Sequence, residues 1–149
     1  EGRSFLGRQF ASYPFHVCRV QHLDADLPPM ASLYLQSSAG GLFAGDELDV
    51  SIACEANAMA HVTTQASTIV YRMPDGEARQ RTALEVGAGG FLEYLPDPMI
   101  MFPQARLHNR LSLKLASNAT AIVVDDSLKS VSNSSLTRWA VCSCHAFLM

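Results

Sequence analysis

Three segments of this chain repeat one plan, and that repetition limits the fold more than any other feature. Leu48, Val50 and Ile52 alternate with Asp49 and Ser51, pass through Ala56-Asn57-Ala58, and resume as Ala60-His61-Val62-Thr63. Leu84-Glu85-Val86 passes through Ala88-Gly89-Gly90 into Phe91-Leu92-Glu93-Tyr94-Leu95. Leu111, Leu113 and Leu115 pass through Ser117-Asn118-Ala119 into Ala121-Ile122-Val123-Val124. A period of two is the signature of a strand with one aliphatic face. The turn centres Asn57, Gly89 and Asn118 are residue types that tolerate left-handed backbone, and they lie 89 − 57 = 32 and 118 − 89 = 29 residues apart. One strand–turn–strand unit is marginal in water, so such units must stack or pair to bury their aliphatic faces. The expected fold is therefore all-β, with stacked, solenoid-like sheets built from residues 48–64, 82–95 and 111–124 and little helix.

The rest of the chain adds shorter elements. Val17-Cys18-Arg19-Val20 reads as a short strand and Met30 to Gln36 as another, with Pro28 and Pro29 breaking the chain between them. Pro74-Asp75-Gly76 is a turn joining two strands, since proline sets φ and glycine supplies a positive value. Arg72-Met73-Pro74-Asp75-Gly76-Glu77 and Pro96-Asp97-Pro98 read as irregular connectors between the units. The best helical candidate, residues 128–140, is diluted by Ser130, Ser132, Asn133, Ser134 and Ser135, which favour turns.

Size and charge bound the function. At 149 residues the chain fits one domain, and 48% hydrophobic with 17% charged residues are globular values. A formal charge of -3 gives no electrostatic basis for nucleic acid as a partner. No apolar run approaches the ~18 residues of a membrane span and no secretory signal opens the chain, so a cytoplasmic protein without a membrane partner is expected. Cys18, Cys54, Cys142 and Cys144 are expected as free thiols. Cys142-Ser143-Cys144-His145 has soft-metal donors but lacks the second ligand pair of a structural zinc site, and the bland reading, incidental cysteines in a tail, carries more weight.

One stretch stands apart from the repeat. Gly40-Gly41-Leu42-Phe43-Ala44-Gly45-Asp46 sets three glycines within six positions, which marks a backbone that turns tightly or is closely approached. It is followed by Thr63-Thr64-Gln65-Ala66-Ser67-Thr68, then Val70-Tyr71-Arg72, then Leu92-Glu93-Tyr94-Leu95-Pro96-Asp97-Pro98, and finally Ala105-Arg106-Leu107. These blocks, in this order, resemble the UreD/UreH-type urease accessory proteins from about Phe5 to Asp126. The motif positions are Gly40, Gly41, Gly45, Thr63, Thr64, Gln65, Tyr71, Pro96 and Arg106.

The resemblance implies a non-enzymatic scaffold that helps load nickel into the urease apoprotein, together with a helical accessory protein (UreF-type) and a GTPase (UreG-type). It implies no stably bound cofactor, with nickel(II) as the transferred ion. It also implies a domain at residues 1–126 that is the first part of a longer chain, with 127–149 an unmatched tail. In that family Ile69 stands where a lysine is usual.

Candidate chemistry follows the same blocks. Asp46, Glu93 and Asp97 are the acids embedded in them, and carboxylates can relay a divalent cation while holding it weakly. Against this, Asp46 also suits a turn cap and Glu93 a solvent-facing strand position. Thr63, Thr64, Gln65, Ser67 and Thr68 gather polar groups that either line a wet passage or pair across strands, the latter at about 0.2–1 kcal/mol per pair. His16, His22, His61 and His108 show no ligand spacing. No nucleophile elbow or phosphate loop is present, so catalysis is not expected. Two alternatives stand beside the scaffold reading. One is a β-solenoid carbohydrate module with Glu93 and Asp97 as an acid pair, and the other is a truncated product without activity of its own.

Overall fold

The computed structural model describes residues 2–124 and the strand at 127–129. Two strands lead in, β1 (Phe15–Val17) and β2 (Ala31–Ser37). Three coils follow, each of three strands. The first holds β3 (Glu47–Cys54), β4 (Met59–Thr64) and β5 (Ile69–Val70), and the second β6 (Ala78–Val86), β7 (Phe91–Tyr94) and β8 (Met99–Met101). The third holds β9 (Leu107–Leu115), β10 (Thr120–Val123) and β11 (Ser127–Lys129). No helix occurs among the described residues.

Strands on either side of a turn do not pair with each other; each pairs with its counterpart in the next coil. β3, β6 and β9 form one parallel sheet, in which Ile52 lies beside Leu84 and Leu84 beside Leu113. β4, β7 and β10 form a second parallel sheet, which β2 extends in parallel and β1 in antiparallel fashion. β5, β8 and β11 form the third. The units are arches of a solenoid, as the repeat led one to expect.

The turns explain why the coils stay in register. In each, the fourth residue donates to the first: Ala58 N–H to Glu55 O at 3.1 Å, Gly90 to Gly87 at 2.9 Å and Ala119 to Ala116 at 3.2 Å. The third residue has positive φ in every case, +60° at Asn57, +67° at Gly89 and +59° at Asn118. Each turn also bonds to the next, through Asn57 N–H to Ala88 O at 3.0 Å and Gly89 N–H to Ser117 O at 3.3 Å. Backbone groups that an isolated arch would leave to water are thus satisfied by stacking.

Two apolar clusters fill the interior. Cys54, Val62, Leu84, Val86, Leu92 and Tyr94 pack between the first and second sheets. Leu42, Leu48, Val70, Met73, Ala78 and Met99 form the other cluster, against the third sheet. Leu84, Leu92, Val70 and Met73 are the largest side chains fully removed from solvent. Cys54 shares this interior, and burial pushes its thiol up from the ordinary value. Iodoacetamide at neutral pH is therefore expected to alkylate half-buried Cys18 well before Cys54, as read by peptide mass spectrometry. Faster labelling of Cys54 would mean that this coil opens readily.

Outside the first sheet, charges align by register. Arg81 makes a forked pair with Asp49 (Nε–Oδ1 2.6 Å, Nη2–Oδ2 3.0 Å) and reaches Glu47 at 3.2 Å. This guanidinium holds the Asp49 carboxyl below its usual range. Lys114 meets Glu85 at 2.7 Å, one coil along. Such exposed pairs contribute little stability, about 0–1 kcal/mol each. Their value here lies in setting strand register.

Two features differ from expectation. The first short strand is Phe15–Val17 rather than residues 17–20, although Cys18 N–H still bonds to Tyr34 O at 2.9 Å and Gln21 bridges Ser32. The connectors at 72–77 and 96–98 are irregular as expected, but β5 and β8 beside them, too short to display alternation, build a third sheet that the repeat did not announce. Residues 130–140 of the helical candidate, and the Cys142-Ser143-Cys144-His145 group, lie outside the described residues.

Candidate functional site

Three of the blocks singled out in the sequence, though not Val70-Tyr71-Arg72 or Ala105-Arg106-Leu107, meet at a cavity of about 210 Å³ inside the solenoid. Gly40 and Gly41 reach it from the loop after β2, Thr64, Gln65, Ser67 and Thr68 from the corner between β4 and β5, and Pro96 and Asp97 from the corner between β7 and β8. Members of both apolar clusters, including Leu42, Leu48, Met99 and Tyr94, line it too. At about 30 Å³ per water, it has room for several.

Local geometry shows why these residue types stand where they do. Leu42 N–H donates to Ile69 O at 2.8 Å and Tyr71 N–H to Leu42 O at 3.0 Å, which lays the glycine stretch along β5. A Cβ built on Gly41 would sit on the Ile69 carbonyl oxygen and 2.7 Å from the Tyr71 ring, and Gly41 has φ +143°. The Tyr71 ring stacks on Phe43 (4.7 Å between centroids) and meets the edge of Phe102 at 5.4 Å. Gly45 also has positive φ, +88°. Gly40 departs from expectation: its φ is not positive, and a Cβ there would meet nothing within 4 Å.

The three acids are not brought together. Asp46 caps the turn before β3, its Oδ2 accepting from Phe43 N–H at 2.8 Å. Glu93 pairs with His61 Nδ1 at 2.9 Å, both side chains about one-fifth exposed, and neither residue lines the cavity. Asp97 does line it. Its N–H donates to Thr64 Oγ1 at 2.8 Å, and the Thr64 hydroxyl lies 3.4 Å from Asp97 Oδ2. Among the described residues no group of three or more His, Cys, Asp or Glu side chains could hold a metal ion. Thr63 donates to Leu95 O at 2.7 Å rather than pairing with another threonine. Arg106 contributes its carbonyl to Ala78 N–H at 2.9 Å and is itself exposed.

The family model described as UreD urease accessory protein matches residues 1–128. The chain belongs to the UreD family. It is 45% identical over 120 residues to Urease accessory protein UreD 1 of Methylorubrum extorquens (strain PA1), covering 80% of this chain and 41% of that relative. With Urease accessory protein UreD 1 of Pseudomonas syringae pv. tomato it shares 43% over 124 residues, 83% of this chain and 44% of the relative. Urease accessory protein UreD of Haloarcula marismortui is 42% identical over 120 residues, 80% of this chain and 40% of the relative. The chain thus spans about two-fifths of the length of these UreD relatives.

In this UreD-family cavity the first sheet supplies residues that motif reading passed over. Gln80, Thr82 and Asn109 line it from β6 and β9, with Gln80 beside Asn109 in register. Thr82 is among the most buried polar residues, at 3% exposure. A signal was present: in Ala78-Arg79-Gln80-Arg81-Thr82-Ala83-Leu84 the inward phase of the alternation carries two polar residues before it turns aliphatic. Ile69 presents an apolar wall to the cavity. The lining therefore offers many neutral oxygen and amide groups and one carboxylate, which suits hydrated solutes better than a tightly ligated ion.

Proposed function

We propose that this chain is part of a urease maturation scaffold, a non-enzymatic subunit that docks the urease apoprotein, a helical UreF-type accessory protein and a UreG-type GTPase. In this reading its cavity passes nickel(II) onward without storing it. The observation that carries the reading is the convergence of Gly40, Gly41, Thr64, Gln65, Pro96 and Asp97 on one polar cavity. The relatives' names as urease accessory proteins support the scaffold role. A lone carboxylate among neutral oxygen and amide groups fits transfer, because a resident nickel(II) favours imidazole or thiolate donors and the cavity lining holds neither His nor Cys. Asp46 and Glu93, placed elsewhere, act as a turn cap and a sheet-face partner of His61.

The test separates docking from transfer. Residues 1–128, joined to the remaining part of a full-length relative, are expected to co-purify with the helical accessory protein and apo-urease, and to activate urease in cells lacking their own accessory protein. Asp97→Ala together with Thr64→Val is expected to lower that activation several-fold without loss of co-purification. Parental activation by the double variant would sink the passage reading; failure of the parent to co-purify would sink the scaffold.

A further inference from the structure

In the second sheet the alternation that turns Ala60, Val62, Leu92 and Tyr94 inward sends His61 and Glu93 to the opposite face. Parallel register sets the two side by side, with Ser32 of β2 next to His61 and Ile122 of β10 next to Glu93. The pair therefore sits within the sheet, and its contact, His61 Nδ1 to Glu93 Oε2 at 2.9 Å, is made by the first two coils alone.

That contact prepares the imidazole. An ionised carboxylate only accepts hydrogen bonds, so a neutral His61 carries its proton on Nδ1 and keeps its lone pair on Nε2. Nε2 makes no hydrogen bond among the described residues, and the side chain is 23% exposed. A carboxylate bonded to one ring nitrogen, fixing tautomer and ring orientation while the other nitrogen binds, is the arrangement that metal-ligating histidines use. The surroundings favour a cation as well. No Lys or Arg pairs with Glu93 among the described residues, and β2, β4, β7 and β10 carry no other Asp, Glu, His, Lys or Arg.

We propose that His61 Nε2 is a ligand for borderline divalent cations such as nickel(II), for which imidazole is a suitable donor, with Glu93 as its positioning residue. No group of three or more His, Cys, Asp or Glu gathers among the described residues, so water fills the remaining positions and the cation is held in an open, readily exchanged site. The other described histidines are less prepared. His22 has its Nε2 on the neutral Ser4 carbonyl at 3.0 Å, and His16 and His108 are exposed strand residues without a bonded carboxylate among the described residues. This site is separate from the cavity, which neither His61 nor Glu93 lines, and it does not depend on the maturation reading.

Histidine-selective nitrogen NMR of the full chain tests the proposal, in a background of Cys142→Ser, Cys144→Ser and His145→Gln that keeps those soft donors from competing. Before metal is added, His61 is expected as the tautomer with its proton on Nδ1. Nickel(II) chloride is then titrated in, and paramagnetic broadening of the His61 ring signals is expected at concentrations about tenfold below those that broaden His16, His22 or His108. Glu93→Gln keeps the shape of the side chain but removes its charge; it is expected to weaken nickel at His61 about tenfold and to leave the response of His22 unchanged. Should that variant fail to fold, the tautomer and the order of broadening in the parent still decide. A proton on Nε2, earlier broadening of another histidine, or an unchanged nickel response in a folded Glu93→Gln chain would overturn the proposal. So would loss of the His61 response when residues 1–128 are joined to the remaining part of a full-length relative, because the face would then be a packing surface.

Discussion

Gly41→Ala is expected to destabilise the protein by about 3 kcal/mol or more, because a left-handed backbone strain adds to a clash with immovable main chain. The obstructing atom is the Ile69 carbonyl oxygen, and that oxygen is already engaged by Leu42 N–H at 2.8 Å. Relief would require the glycine stretch to lift away from β5, losing the Leu42–Val70 bridge and opening the cavity wall. Gly40→Ala, one residue earlier, is the control. With open space and no positive φ, it is expected to be neutral or to stabilise by about 0.4–1 kcal/mol through the unfolded state. Urea unfolding of the two variants checks the contrast, and equal midpoints would show that the close approach at Gly41 carries no energetic weight.

Leu92→Ala should have a comparable effect, about 2–5 kcal/mol for a leucine emptied from a packed site. Leu92 is fully buried in the middle coil, with Ala60 of β4 on one side and Ala121 of β10 on the other. Neighbours held in two facing sheets cannot collapse far into the space. Leu113→Ala, in the half-buried third coil, should cost clearly less, since its side chain keeps contact with solvent in the native state. Denaturation midpoints again decide. Equal losses at both positions would mean that the third coil is as well covered as the second.

Much of the fold was legible because it depends on local alternation and on turns. Leu48-x-Val50-x-Ile52 and its two counterparts declare strands of one phase, and Asn57, Gly89 and Asn118 each sit where the chain needs positive φ. Stacking then follows from spacing, since units of nearly constant length can place every backbone donor against the next coil. The third sheet was not legible. Ile69–Val70 and Met99–Met101 are two and three residues long, and no periodicity can show in so few positions. Their strand character exists only because the coils set them side by side.

The candidate site divides in the same way. The family-like blocks singled out Gly41, Thr64, Gln65 and Asp97, and for Asp46 the turn cap weighed against the metal reading is the contact the structure shows. Only the tertiary structure set Asp97 at the cavity and left Asp46 and Glu93 away from it, because corner and strand-face positions of a coil open on different surroundings. It also brought in Gln80, Thr82 and Asn109, whose meaning comes from facing the corners of other coils. Local chemistry determines which backbone a segment prefers; the stacking of coils, a long-range packing effect, decides which of those segments share a cavity.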